Sequence, residues 1–169
     1  NGKNTLLLTG ERAEESSNRA SYFKFEKHSS NGKKRTVHQY RPVHAWKEQR
    51  VWDLIEKYRI NPHPAYKLGW GRVSCMTCIF GNKDQWASVA KIAPKKVEKI
   101  SNYEDSFGVT IQRTKSVAEL VSEGKAYDTM KTDDINDAMS HDYQAPILLG
   151  KGETWTLPSG AFGDSCGPT

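Results

Sequence analysis

The stretch from Arg41 to Cys78, RPVHAWKEQRVWDLIEKYRINPHPAYKLGWGRVSCMTC, constrains the fold more than any other part of the chain. Apolar residues at Val51, Leu54, Ile55 and Tyr58 have the i, i+3, i+4, i+7 spacing of one buried helical face, with Trp52 on its flank. Asn61, Pro62 and Pro64 cannot continue that helix, because proline lacks an N–H and its ring clashes with the preceding turn. The chain must turn there, and Gly69 and Gly71 then permit a close backbone approach just ahead of Arg72, Cys75 and Cys78. A guanidinium and two thiols delivered at the end of a helix and turn read as a working site rather than as packing.

The totals bound what such a site can belong to. A chain of 169 residues suffices for one ordinary domain with a real core. No apolar run approaches the ~18 residues that span a bilayer. The opening, NGKNTLLLTGERAEES, has too short an apolar patch for a secretory signal and no initiator Met, so the chain reads as a piece of something longer or a processed product. Three cysteines are few and odd in number, which argues against a disulfide framework and for a reduced, cytoplasmic setting. The net charge of +5 favours an anionic partner, but its spread along the chain speaks to solubility and steering rather than to one ligand.

In chain order, Thr5–Thr9 reads as a short buried strand ending at Gly10, followed by a helix beginning within Ala13–Ala20. In open α/β sheets, ligands bind beyond the carboxyl ends of strands. Arg12 and Arg19 would lie there, where a guanidinium grips phosphate or sulfate in bidentate fashion or else pairs with Glu11, Glu14 or Glu15. A hairpin is expected around Asn31-Gly32, with Val37–Val43 extended and the basic run Lys33–Arg35 as a solvated loop or a contact for nucleic acid. Helices are expected over 84–93, capped near Asn82 or Asp84, and over 94–107, with Val97, Ile100 and Tyr103 on one face. Two shorter ones cover 116–122 and 132–139, Thr132 and Asp133 supplying capping chemistry for the second. The Gly- and Pro-rich segment from Tyr143 onward reads as irregular, but Trp155, Leu157 and Phe162 imply that it docks.

Cys75 and Cys78 form a CxxC, which suits a metal site, a redox pair or two inert buried thiols. A closed zinc or iron–sulfur site wants about four ligands. Cys166 and the histidines at 28, 38, 44, 63 and 141 are the further donors that the sequence offers. Arg72 would hold sulfate or phosphate and lower the Cys75 thiol pKa by its charge. His44 and His63 flank the same region, as proton carriers, as ligands, or as rings satisfied by backbone.

The stretch resembles the downstream half of the phosphoadenosine phosphosulfate (PAPS) reductase family, relatives of the PP-loop adenine-nucleotide hydrolases. Pro42, Trp46, Val51, Trp52, Ile55, Asn61, Pro62, Tyr66, Gly69, Arg72 and Cys75 fall where that family's pattern has such residues. Upstream, Gly10 to Arg19 looks like the family's G-x-R-x-x-[EQ]-S-x-x-R signature, and the two matches cover about the first half of the chain. The resemblance implies the C-terminal part of a Rossmann-like α/β sheet with a mostly helical cap. Residues 1–40 would end the nucleotide-binding domain, 41–142 form the helical region with the CxxC, and 143–169 the tail.

It also implies thiol-dependent sulfur transfer or reduction of an adenylylated sulfate, with a thioredoxin-like reductant. Arg12, Glu15, Ser16, Arg19 and His63 become substrate-binding positions, and Arg72, Cys75, Cys78 and Cys166 catalytic ones. Family members differ in holding a [4Fe–4S] cluster on cysteines; here Cys75, Cys78 and Cys166 would be its ligands, or those of zinc, and the usual four-cysteine pattern is incomplete. Around Cys166 the Cys-Gly pair and a nearby acid match the family's E-C-G-[IL]-H context, while the Glu and His do not. The SGGKDS-like phosphate loop does not occur, so an N-terminal half or a second chain is expected to supply it. Two other readings keep the fold: an ATP-dependent sulfur-incorporating enzyme acting on nucleic acid, for which Lys33–Arg35 and Lys95-Lys96 are suited, and a non-catalytic assembly module.

Overall fold

The computed structural model describes residues 2–163, a mixed α/β chain that divides into two compact units between Leu54 and Ile55. The first unit holds a three-stranded sheet, β1 (Lys3–Leu8), β2 (Phe25–Lys27) and β3 (Arg35–Tyr40), in the order β1-β3-β2. β1 runs parallel to β3 with Thr5 opposite Val37 and Leu7 opposite Gln39, and β2 is antiparallel to β3 with Phe25 opposite Tyr40. Between β1 and β2 lie a 3-10 turn (Ala13–Glu15) and a four-residue helix α1 (Ser17–Ala20). The helix expected to begin within Ala13–Ala20 thus takes two short pieces, parted at Ser16, which is extended and caps α1 through its hydroxyl, accepting from the Arg19 N–H at 3.1 Å.

One expectation about this sheet fails and another shifts by two residues. β1 is exposed along its length, with Leu6 at 56% and Leu8 at 62%, although a parallel strand normally has both faces covered. Register places Leu6 and Leu8 on the same face as His38, Tyr40 and Phe25, and Phe25 stacks on His38 with centroids 5.1 Å apart. The hairpin forms, but its apex is Lys33-Lys34 rather than Asn31-Gly32. Gly32 and Arg35 bond to each other across that apex, and the Asn31 side chain accepts from the Val37 N–H at 3.0 Å.

Arg41, at the end of β3, is the polar centre of the first unit. The residue is 4% exposed, and its guanidinium donates to Glu11 at 3.1 Å, to Glu26 at 2.6 Å and to the Phe23 carbonyl at 2.7 Å and lies 4.7 Å over the Tyr22 ring. One side chain therefore ties the loop after β1 to β2 and to the segment before it. The pairing in turn keeps the guanidinium ionised despite burial, because the two carboxylates offset the lost water.

Helix α2 (Glu48–Lys57) spans the division. Its buried residue is Trp52, beside the half-buried Val51, Leu54 and Ile55 of the expected face, while Tyr58 lies past the helix end and is 59% exposed, outside that face. The second unit is helical: α3 (Pro64–Lys67), α4 (Lys83–Ile92), α5 (Pro94–Phe107), α6 (Val117–Glu123) and α7 (Thr132–Met139). α3 falls where only a loop is expected, because Pro64 occupies the first helical position, where its missing N–H costs nothing. α4 is capped by Asn82, whose side chain accepts from the Gln85 N–H at 2.8 Å, and α6 by a Ser116–Glu119 capping box. α7 has the expected bounds, but Lys131 is its N-cap position and no side chain caps it. Tyr103 of α5 is 47% exposed rather than packed with Val97 and Ile100.

Leu68, Trp70 and Val89 form one core cluster and Trp86, Val117 and Leu120 a second, with Val97 packed against both. The chain from 143 to 163 is irregular and docks on the second unit. Ile60 bridges Leu148, the Trp155 indole donates to the Ile60 carbonyl at 3.0 Å, and Gly160 N–H donates to Tyr66 O at 2.7 Å. Among the described residues no helix is long and apolar enough to cross a membrane.

Two substitutions test these supports. Arg41→Ala should cost about 2–3 kcal/mol in denaturant unfolding, below the ~3–5 of a wholly buried pair because both glutamates keep partial contact with water. A Cβ at Gly160 would sit 2.2 Å from the Trp70 carbonyl oxygen, so Gly160→Ala should lower stability by about 1–3 kcal/mol and Tm by several degrees. Gly32→Ala, with open space at its Cβ, should leave the thermal midpoint unchanged.

Candidate functional site

The signature segment Gly10–Arg19 lies within the first unit, immediately after the carboxyl end of β1. Arg12 pairs with Glu14 at 3.0 Å and with Glu15 at 3.4 Å, and Arg19 pairs with Glu15. Glu15 thus orients both guanidiniums and also accepts from the Arg12 backbone N–H at 3.3 Å, closing a capping box on the 3-10 turn. Of the two fates the sequence offers these arginines, anion grip or carboxylate pairing, the geometry contains the second. An incoming anion would have to compete with Glu14 and Glu15 for them. Ser16 is engaged as the cap of α1.

Two partners of the segment are not evident from sequence. Glu14 accepts from the Glu48 N–H at 2.6 Å, satisfying a free donor at the start of α2, and that bond is the largest influence holding its carboxyl below the usual range. Glu11 is likewise lowered, first by the Thr9 hydroxyl and then, against desolvation, by Arg41. His44 is held as a structural ring, Nε2 lying 2.9 Å from the Arg19 carbonyl, while its own carbonyl accepts from the Ala13 N–H at 2.8 Å. Spacing of charges within the motif could have suggested Glu14; nothing local marks its reach to residue 48.

The second unit holds His63, Arg72, Cys75 and Cys78. His63, Arg72 and Cys75 line one cavity of about 220 Å³, together with Trp70, Met76 and Met139. Three features of the sequence build it. Pro64 starts α3, and the His63 ring caps that helix through Nδ1, which accepts from the Ala65 N–H at 3.1 Å. Nδ1 is thereby the unprotonated nitrogen of the neutral ring, leaving Nε2–H as the donor. Gly69 sits at φ +106° with the Tyr127 ring 3.0 Å from where a Cβ would be. Gly71 lies against the backbone of Gly163, as the paired glycines suggest. Trp70 is buried edge-on to Tyr127, centroids 5.4 Å apart at 80°, and forms the cavity's apolar wall.

Cys75 opens to solvent and Cys78 is buried, and both are free thiols. The expected lowering of the Cys75 pKa is not what results. Packing around the sulfur pushes it up, the Cys78 thiol adds to that, and Arg72 and Ser74 oppose the rise without overcoming it. Cys75 is therefore a protonated thiol at neutral pH, with a cation lining the same space.

A cluster or zinc site asks for about four ligands. Among the described residues no group of three or more His, Cys, Asp or Glu side chains is arranged to hold a metal, so the Cys75–Cys78 pair alone does not fit one. Cys166, expected as a third ligand and as a nucleophile, lies outside the described residues.

Comparison with known proteins sets this chain beside a phage protein and a domain family. No solved structure matches it. A protein of Escherichia phage 186, described as an uncharacterized 37.8 kDa protein in the gpa 5′ region, is 32% identical over 99 residues. That match covers 59% of this chain and 29% of the phage protein, so the chain spans under a third of that relative's length. The family model for the phosphoadenosine phosphosulfate reductase domain matches residues 1–80, which takes in the glutamate-paired arginines, α2, α3 and the loop with Arg72 and Cys75. Over this segment, from residue 1 to residue 80, the chain is similar to the phosphoadenosine phosphosulfate reductase domain.

Proposed function

We propose that the chain is the thiol-bearing part of a PAPS reductase-like enzyme that takes the sulfur of an adenylylated sulfate onto a cysteine. The observation that carries the reading is the cavity lined at once by Arg72, His63 and Cys75. Arg72 and the Nε2–H of His63 supply a cation and a donor for sulfate oxygens, and Trp70 supplies a dry wall that strengthens both. In the transfer a thiolate attacks sulfur, an S–S bond forms, and the S–O bond to the nucleotide phosphate breaks. A thioredoxin-like dithiol then reduces the enzyme S-sulfonate, regenerating the thiol, releasing sulfite and leaving as a disulfide. The uncovered leucines of β1 are suited to an additional layer of a Rossmann-like sheet, and a segment bearing the phosphate cradle would lie there.

The full-length gene product, given radiolabelled adenylylated sulfate, should carry label on a cysteine and release sulfite when the dithiol is added. Arg72→Ala should reduce both by about tenfold or more, near 1.4 kcal/mol. Peptide mapping of Cys75→Ser and Cys166→Ser proteins identifies the attacking thiol. Unlabelled cysteines in a protein that binds the nucleotide normally would sink the reading.

The electrostatics of the thiol have their own test. The rate of Cys75 alkylation by iodoacetamide should reach half-maximum at a pH above that of an ordinary thiol. Removing the neighbour in Cys78→Ser should move that midpoint down, and Arg72→Ala should move it up. A midpoint at or below the ordinary value would show that Arg72 outweighs burial.

A further inference from the structure

Helix α5 carries an exposed stripe that neither the core nor the Cys75 cavity uses. At about 100° per residue, Lys96, Lys99, Tyr103 and Phe107 fall within an arc of roughly 80°. Val97 and Ile100, on the adjoining arc, pack into the core. Tyr103 and Phe107 are 47% and 69% exposed, with their rings stacked 5.7 Å apart at 10°. Lys99 Nζ sits 5.7 Å from the Tyr103 centroid.

The charges around these rings are sorted. The first turn of α5 contains no acid, so Lys95 and Lys96 stand at the positive end of the helix dipole, where cations cost helix stability. A sequence chosen for the helix alone would place Asp or Glu there. Glu98 and Asp105 lie about 100° or more from the stripe. Glu104 is spent, its carboxylate accepting from the Ile111 N–H at 2.6 Å and from the Val117 N–H at 3.0 Å. The helix thus presents lysines followed by two stacked rings, with no carboxylate of its own between them.

We propose that this stripe binds single-stranded nucleic acid, with Lys95, Lys96 and Lys99 on phosphates and Tyr103 and Phe107 as a platform for bases. The complementarity is specific to a polyanion with flat aromatic faces. An acidic peptide would match the lysines and leave the rings in water, and a duplex keeps its bases stacked on one another. No stripe residue lines the Cys75 cavity, and binding is measured without turnover, so failure of either proposal leaves the other standing.

The test is fluorescence anisotropy of the whole 169-residue chain with a labelled oligothymidylate of about 12 nucleotides. Affinity should fall with salt at a log–log slope of about −2, from roughly three phosphate contacts at ~0.7 each on a single strand. The Tyr103→Ala/Phe107→Ala protein should bind about tenfold or more weakly. Tyr103→Leu/Phe107→Leu, which keeps apolar area and helix but not the rings, should weaken in the same way. Lys96→Ala/Lys99→Ala should flatten the salt slope, whereas Lys33→Ala/Lys34→Ala should leave affinity within about twofold. The proposal is overturned if low salt gives no binding, if the ring-less proteins bind like the parent, or if a duplex of equal length competes equally.

Discussion

Backbone lying directly against backbone holds the loop that carries Arg72 and Cys75. Gly71 meets Gly163 with no room for a Cβ on either side, and Gly160 fits against the carbonyls of Trp70 and Tyr66. The Tyr66 carbonyl receives two N–H donors, from Gly69 at 3.2 Å and Gly160 at 2.7 Å, so one acceptor ties the exit of α3 to the docked segment. The order of this loop comes from three residues lacking side chains and from the hydrogen bonds that their closeness permits. An ordinary side chain at these glycines would move the loop before it changed any residue of the site.

This dependence explains which parts of the fold were legible in the sequence. α4, α5 and α7 could be drawn within a residue or two because their signals are local: Asn82 before the first turn, Pro94 at a first helical position, and a period of 3.6. The same period does not say which arc is covered, since that is decided by distant neighbours. In α2 the most covered residue is the flanking Trp52 and the expected arc stops at Ile55, leaving Tyr58 outside; in α5 the arc closes at Ile100, leaving Tyr103 outside. β1 reads as buried from composition, but burial belongs to the sheet's surroundings and not to the strand. Arg41 was invisible as an organiser because its partners, Glu11 and Glu26, come from elements far apart in sequence.

The site divides along the same line. Residue types and order pointed to Arg72, Cys75 and His63, and the cavity they share required the turn at Pro64 and the close approach at Gly71, both written in the sequence. The state of charge was not written there. An arginine three residues before a cysteine suggests an activated thiolate, yet desolvation and a second thiol outweigh it at Cys75. Likewise the arginines of the G-x-R-x-x-E-S-x-x-R segment are answered by Glu14 and Glu15, acids supplied by the same motif.

These two results bear on one another through charge. An anion entering the Arg72 cavity would partly neutralise a cation that restrains the Cys75 pKa, so binding itself would push that thiol further from ionisation. Electrostatics alone therefore oppose a bound sulfate and a Cys75 thiolate coexisting in the isolated cavity. For Cys75 to be the attacking group, positive potential must come from outside this cavity. A thiol held protonated beside a guanidinium is otherwise suited to donate a proton rather than to attack.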